Sequence, residues 1–136
     1  MARIKIYGIA AHLKPVKFLL SDIIHSCVVE ALELPTDRRF HRFFPLDPAD
    51  FLFPPDRSER YLIVEIVLFE GRSAETKRRL IRLLINRVCR GLDLSPDDLE
   101  ITIFETPRQN WGIRGQLGDE PIGGHGWVKE PSRRVS

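Results

Sequence analysis

Tyr61-Leu62-Ile63-Val64-Glu65-Ile66-Val67-Leu68-Phe69-Glu70-Gly71-Arg72-Ser73 decides the fold. The run from Tyr61 to Phe69 is apolar apart from Glu65, which is how a strand covered on both faces reads. Gly71-Arg72-Ser73 then makes a tight turn, and Ser73 suits the cap of a helix with Glu75 in its first turn. Leu80, Leu83, Leu84, Val88 and Leu92 recur at helical spacing and predict the buried face. Leu94-Ser95-Pro96-Asp97-Asp98 breaks the helix, and Leu99 to Glu105 alternates as a second strand.

The first half repeats this plan. Arg3 to Tyr7 alternates as a strand, and Pro15 suits a first helical turn. Val16, Leu19, Leu20, Ile23, Ile24, Cys27, Val28, Ala31 and Leu32 form a helical stripe. Leu34-Pro35-Thr36-Asp37 ends it, and Phe40 to Phe44 reads as a strand. A proline-rich connection follows through Pro45, Pro48, Pro54 and Pro55. A single offset of sixty registers Ile6 on Ile66, Leu20 on Leu80, Ile23 on Leu83, Val28 on Val88, Leu32 on Leu92, Leu34 on Leu94 and Asp37 on Asp97. One offset serving strand, helix and break predicts two βαβ units with right-handed crossovers. The expected fold class is α+β: tandem β-α-β units in one four-stranded mixed sheet, with two helices on one face. The sheet's other face is left to a partner, so a symmetric oligomer is expected.

The 136 residues make one domain, read as residues 1–120 in pseudo-repeats 1–60 and 61–120, with a polar tail over 121–136. The alternative for the open face is the tail folding over it, for which Trp127 and Val128 offer little apolar area. Gly123-Gly124-His125-Gly126 reads as a link to that tail. The net charge of +2 is too balanced to suggest nucleic acid. No apolar run reaches the ~18 residues of a membrane span. No signal-peptide pattern precedes the strand that begins at Arg3, which makes a cytoplasmic protein the expectation. Cys27 and Cys89 fall on helix stripes, as buried reduced thiols do. His12, His25, His41 and His125 lack metal-ligand spacing, so no metal and no cofactor is expected. His25 reads as a satisfied structural histidine. His41, between Phe40 and Arg42, is better placed for a pocket.

In its order of motifs the chain resembles the tautomerase superfamily. Phe69-Glu70-Gly71-Arg72-Ser73, Leu80-Ile81-Arg82, Ile101 to Glu105 and Trp111-Gly112-Ile113-Arg114-Gly115 look like 4-oxalocrotonate tautomerase. The two-unit length, with breaks at Pro35-Thr36-Asp37-Arg38 and Ser95-Pro96-Asp97-Asp98, is similar to malonate semialdehyde decarboxylase and to cis-3-chloroacrylic acid dehalogenase. The resemblance implies a trimer, a small carboxylate substrate, and keto–enol proton transfer on a 2-oxo acid. It also implies chemistry by an amino-terminal proline, where this chain has Ala2 after Met1 and Leu62 at the matching internal place. Weak or altered activity is therefore expected, with a primary amine standing in if Met1 is removed.

The resemblance assigns Arg72 to a substrate carboxylate, which a guanidinium fork suits. Its other reading is a surface arginine capping the turn. Asp37 falls where the decarboxylase has an acidic residue handling water or a proton, and it also suits a simple helix break. Trp111 is either the apolar pocket wall or core or subunit-interface packing. Arg114 either reaches a carboxylate or pairs with Asp119 or Glu120. Glu100 occupies the place of a second catalytic arginine, and Phe69 or Glu70 stands near the place of another. Two alternatives accompany the tautomerase reading: a non-catalytic trimeric binding protein, and a hydratase or decarboxylase using Asp37.

Overall fold

The computed structural model describes residues 1–120. The expected tail, with His125, Trp127 and Val128, lies outside the described residues. Strand β1 (Ala2–Ile9) leads through a short helix α1 (Ala10–Leu13) and a 3-10 turn (Lys14–Val16) into helix α2 (Lys17–Leu32). Strand β2 is His41–Leu46. The second unit is β3 (Leu62–Phe69), helix α3 (Ala74–Leu92) and β4 (Leu99–Thr106), followed by a small hairpin of β5 (Gly112–Ile113) and β6 (Gln116–Leu117). The four long strands form one mixed sheet in the order β2-β1-β3-β4. β1 and β2 are parallel, as are β3 and β4, while β1 and β3 run antiparallel.

The sixty-residue repeat extends to details of backbone and register. β1 and β3 begin and end sixty apart, as do the C-termini of α2 and α3. Ile4 pairs with His41, and Val64 pairs with Ile101. Each helix ends on a left-handed residue, Glu33 and Asp93, where glycine is the usual choice. In the antiparallel pair Lys5 lies opposite Glu65, and these are repeat mates. The pseudo-twofold axis relating the two units therefore passes between them.

Alternation of side chains decides the layers. Ala2, Ile4 and Ile6 of β1 and Leu62, Val64, Ile66 and Leu68 of β3 face the helices. They are buried with Leu20, Ile24, Cys27 and Val28 of α2 and Leu80, Leu84 and Val88 of α3. Gly91 lets the helices approach, since a methyl group there would meet Ile23 at 2.5 Å. Both cysteines are free, Cys27 buried and Cys89 half-buried. The opposite face, with Arg3, Lys5, Ile63, Glu65, Val67 and Phe104, carries no covering element among residues 1–120.

Three sequence expectations shift in the structure. Pro15 falls in the 3-10 turn before α2, because its ring cannot donate to a preceding carbonyl. Leu19, expected on the buried stripe, is 52% exposed, one turn before Ile23, which meets α3 at Gly91. Pro45 belongs to β2 rather than to the connection, and an edge strand tolerates it.

Candidate active site

The start of β1, the end of β3 and the start of α3 meet at one corner. Ala2 is buried and pairs with Leu68, which brings Met1 alongside Phe69. Burial, then the Arg72 guanidinium, then that of Arg108, push the Met1 ammonium from 8.0 down to about 6. Desolvation and neighbouring positive charge both disfavour the protonated amine. Most of it is therefore neutral at pH 7.

The turn after β3 positions Arg72. Gly71 has φ +121°, a conformation that L side chains rarely adopt, and Ser73 caps α3 by accepting from Thr76 N at 3.1 Å. Arg72 Nη1 donates to Leu32 O at the end of α2, 3.2 Å away. The guanidinium thus satisfies an open helix carbonyl while its charge reaches the amine. It caps a neighbouring helix rather than its own turn.

After β4, Pro107 opens a 3-10 turn (Arg108–Asn110) that returns the chain across the corner. Trp111 is buried, its Nε1 donates to Thr106 Oγ1, and its ring meets Phe69 edge-on at 4.7 Å. Arg3 lies over the indole at 4.6 Å and Arg108 over the Phe69 ring at 4.3 Å. A cleft of about 150 Å³ opens here between Arg3, Val67, Thr106, Asn110, Trp111 and Gly112. Arg3 and Val67 belong to the uncovered face of the sheet, so a second copy packed on that face would wall the cleft.

The remaining expected residues stand elsewhere within the chain. Asp37 is exposed on the turn after α2, and its ion-pair partner is Arg38 at 4.0 Å. Arg114 is exposed at the β5–β6 turn, with φ +52°. Glu120, one of its suggested partners, accepts instead from Leu117 N. Glu100 is engaged by Arg57 at 3.2 Å. His25 Nε2 donates to Thr36 O at 2.7 Å; the acceptor is a carbonyl, so Nε2 carries the proton. Sequence reasoning did not single out Arg108 or Arg3. The signal for Arg108 was the shortage of cations at Glu70 and Glu100 together with a Pro-Arg turn directly after the strand.

The pseudo-twofold axis generates a second such corner, and that one is filled. Sixty residues before Trp111 stands Phe51, Tyr61 takes the place of Met1, and His12 that of Arg72. Phe51 stacks on Tyr61 at 5.5 Å, Phe53 meets both rings at 5.2 Å, and Arg57 lies over Tyr61. His12 is bonded to Glu59. Asp98 is buried and accepts from Ser58 N and Ser58 Oγ at 2.7 and 2.6 Å, anchoring this aromatic segment. Among the described residues no group of His, Cys, Asp or Glu could hold a metal ion, and no helix is long and apolar enough to cross a membrane.

Known proteins are similar to this chain in sequence and in fold. YusQ of Bacillus subtilis (strain 168), a probable tautomerase, is 23% identical over 99 residues, covering 69% of this chain and 78% of YusQ. The 2-hydroxymuconate tautomerase of Stutzerimonas stutzeri is 37% identical over 54 residues, covering 40% of this chain and 86% of that enzyme. The fold matches FG41 malonate semialdehyde decarboxylase with a TM-score of 0.73 at 23% identity, over 82% of this chain and 88% of that one. It matches a fused 4-OT, solved as an asymmetric trimer, with a TM-score of 0.75 at 20% identity, over 85% and 95% of the two chains. Residues 38–114, more than half of the sequence and the part that carries the Gly-Arg-Ser turn and Trp111, match the family described as tautomerase enzyme, to which this chain belongs.

Proposed function

We propose that this protein carries out keto–enol proton transfer on a small 2-oxo acid, with a primary α-amine in the place of the proline expected from the family. The observation that carries the reading is the amine itself: half-dry, flanked by Arg72 and Arg108, and lowered to about 6. A base with a pKa near the working pH is what proton abstraction beside a carbonyl requires. The amine takes the hydroxyl proton of the enol as the 2-oxo group forms, and the ammonium returns a proton to C3. Arg72 and Arg108 hold the carboxylate and the developing oxyanion, as preorganised cations do in a dry site. Trp111 and Phe69 supply the dry wall. With Met1 removed, the amine of Ala2 would stand in the Leu68 row, one residue further in.

The same reading includes a trimer. The uncovered sheet face borders the cleft, and the fused 4-OT is a trimer. A hydratase or decarboxylase using Asp37 would need that residue brought to the amine from a neighbouring copy, since within the chain it sits on an exposed turn. A purely binding protein would keep the arginines and ignore the amine.

The deciding experiment combines intact mass, to locate the free amine, with ketonisation of phenylenolpyruvate by the native chain, Ala2→Pro and Arg72→Gln. Turnover that falls about 10²-fold in Arg72→Gln, in line with the loss of one oxyanion-stabilising group, supports the reading. Turnover equal to buffer in the native chain and in Ala2→Pro, with small carboxylates still bound, would establish the binding protein instead.

A further inference from the structure

A cavity of about 390 Å³ lies between the first turns of α2 and the edge strand β2, lined by Lys17, Phe18, Ser21, Arg39, His41 and Phe43. It shares no residue with the catalytic corner. Ser21, buried on α2, joins its Oγ to His41 Nδ1 at 2.8 Å. Arg39 donates to the same oxygen at 3.2 Å and to Asp22 Oδ1 at 2.6 Å. The other ring nitrogen of His41 is Nε2. That atom is buried and has no hydrogen-bond partner among the described residues.

The internal repeat supplies a control. Sixty residues on, Ser21 becomes Ile81, Arg39 becomes Leu99, His41 becomes Ile101 and Phe43 becomes Ile103. Leu99 is in the core, and Ile101 and Ile103 pack against it. In the second unit apolar side chains thus replace the Ser21, Arg39 and His41 cluster, while Lys17 and Phe18 are matched by Lys77 and Arg78. Stability alone favours the apolar version, because buried polar groups lose water without a matching gain.

We propose that this cavity is a second ligand site, taking a small organic monocarboxylate with an apolar body. Lys17 and Arg39 contribute two positive charges and Asp22 one negative, so the site has one charge left for a single carboxylate. His41 adds none, since burial, then Arg39, then His25 hold its pKa to about 4. Phe18 and Phe43 face the apolar part of the ligand. Phe18 is 79% exposed, and the Lys17 ammonium lies 5.4 Å from the centre of its ring, which sets a cation beside an apolar surface at the mouth of the cavity.

The test is a two-dimensional NMR titration of the full chain with benzoate, acetate and inorganic phosphate, repeated on Lys17→Ala and Arg72→Gln. Saturable shifts at Ser21, His41 and Phe43 with benzoate, weaker with acetate, are expected. Lys17→Ala should weaken benzoate at least about tenfold, the equivalent of one charge-assisted contact. Arg72→Gln should leave it unchanged, which separates this site from the catalytic corner whatever that corner does. Lys17 is half-exposed, so its removal leaves the fold intact, as circular dichroism would verify. No saturable shift at these three residues, equal binding of phosphate, or indifference to Lys17→Ala would each overturn the assignment.

Discussion

Replacing Arg72 by glutamine should raise the proton affinity of the chain's amine, by an amount the structure bounds. Folding lowers that amine from 8.0 to about 6, roughly a hundredfold in proton affinity. Burial is the largest of three causes, Arg72 the second and Arg108 the third. A contribution that is not the largest of three is less than half of the whole, so Arg72 accounts for less than about one pH unit. Glutamine keeps an N–H for Leu32 O and removes only the charge, which leaves the end of α2 satisfied. The midpoint in Arg72→Gln should therefore lie between about 6 and 7. Trp111→Ala admits water beside Phe69 and should move the midpoint in the same direction. The assay is the pH dependence of α-amine acylation, read by peptide mass spectrometry. A native midpoint near 8.0, or one that does not rise in Arg72→Gln, would refute the reasoning and with it the dry, cationic corner.

Three further outcomes follow from the packing. Asp98→Ala removes two hydrogen bonds to Ser58 from a buried carboxylate and should destabilise the chain by about 3 kcal/mol; urea denaturation showing a loss below about 1 kcal/mol would mean that the aromatic segment is held by its rings alone. Glu33→Gly relieves a left-handed residue with φ 55° at the end of α2 and should stabilise by about 0.5–1 kcal/mol, seen as a rise in Tm. Folding lowers both the Met1 amine and His41, from 6.5 to about 4 for the histidine, so the unfolded chain binds more protons. Stability should accordingly rise with pH from about 4 to 6.5 through His41 and from about 6 to 8 through the amine, and His41→Asn should flatten the lower window alone.

Much of the fold is legible in the sequence because its signals are local and periodic. Leu62 to Phe69 reads as a strand buried on both sides, and Ser73 as a cap, from their neighbours alone. The sixty-residue offset predicts the mixed sheet because equal patterns fold to equal units. Arg72 and Trp111 were both visible in the sequence, and the structure sets them at one corner, linked through Phe69 and Arg108. What stayed hidden is what only long-range contact creates. Arg108 acquires meaning from a turn that returns it over Phe69. Phe51, Phe53 and Tyr61 look like ordinary aromatics of a proline-rich connection until they meet as a plug. Leu19 obeys helical periodicity and is still exposed, because α3 ends at Leu92, just past the Gly91 that meets Ile23 one turn later on the same stripe. Asp37 marks a turn in the sequence and remains one in the structure.

The charges at the centre of the sheet decide which halves can pair. An unfused first unit meeting its own copy in the same antiparallel register would set lysine against lysine at position 5, and the second unit would set glutamate against glutamate at position 65. Like charges directly opposite are destabilising and unlike ones are not. Expressed as two separate peptides, the halves should therefore choose each other over themselves. Joining the halves in one chain then preserves a recognition that the strands already contain.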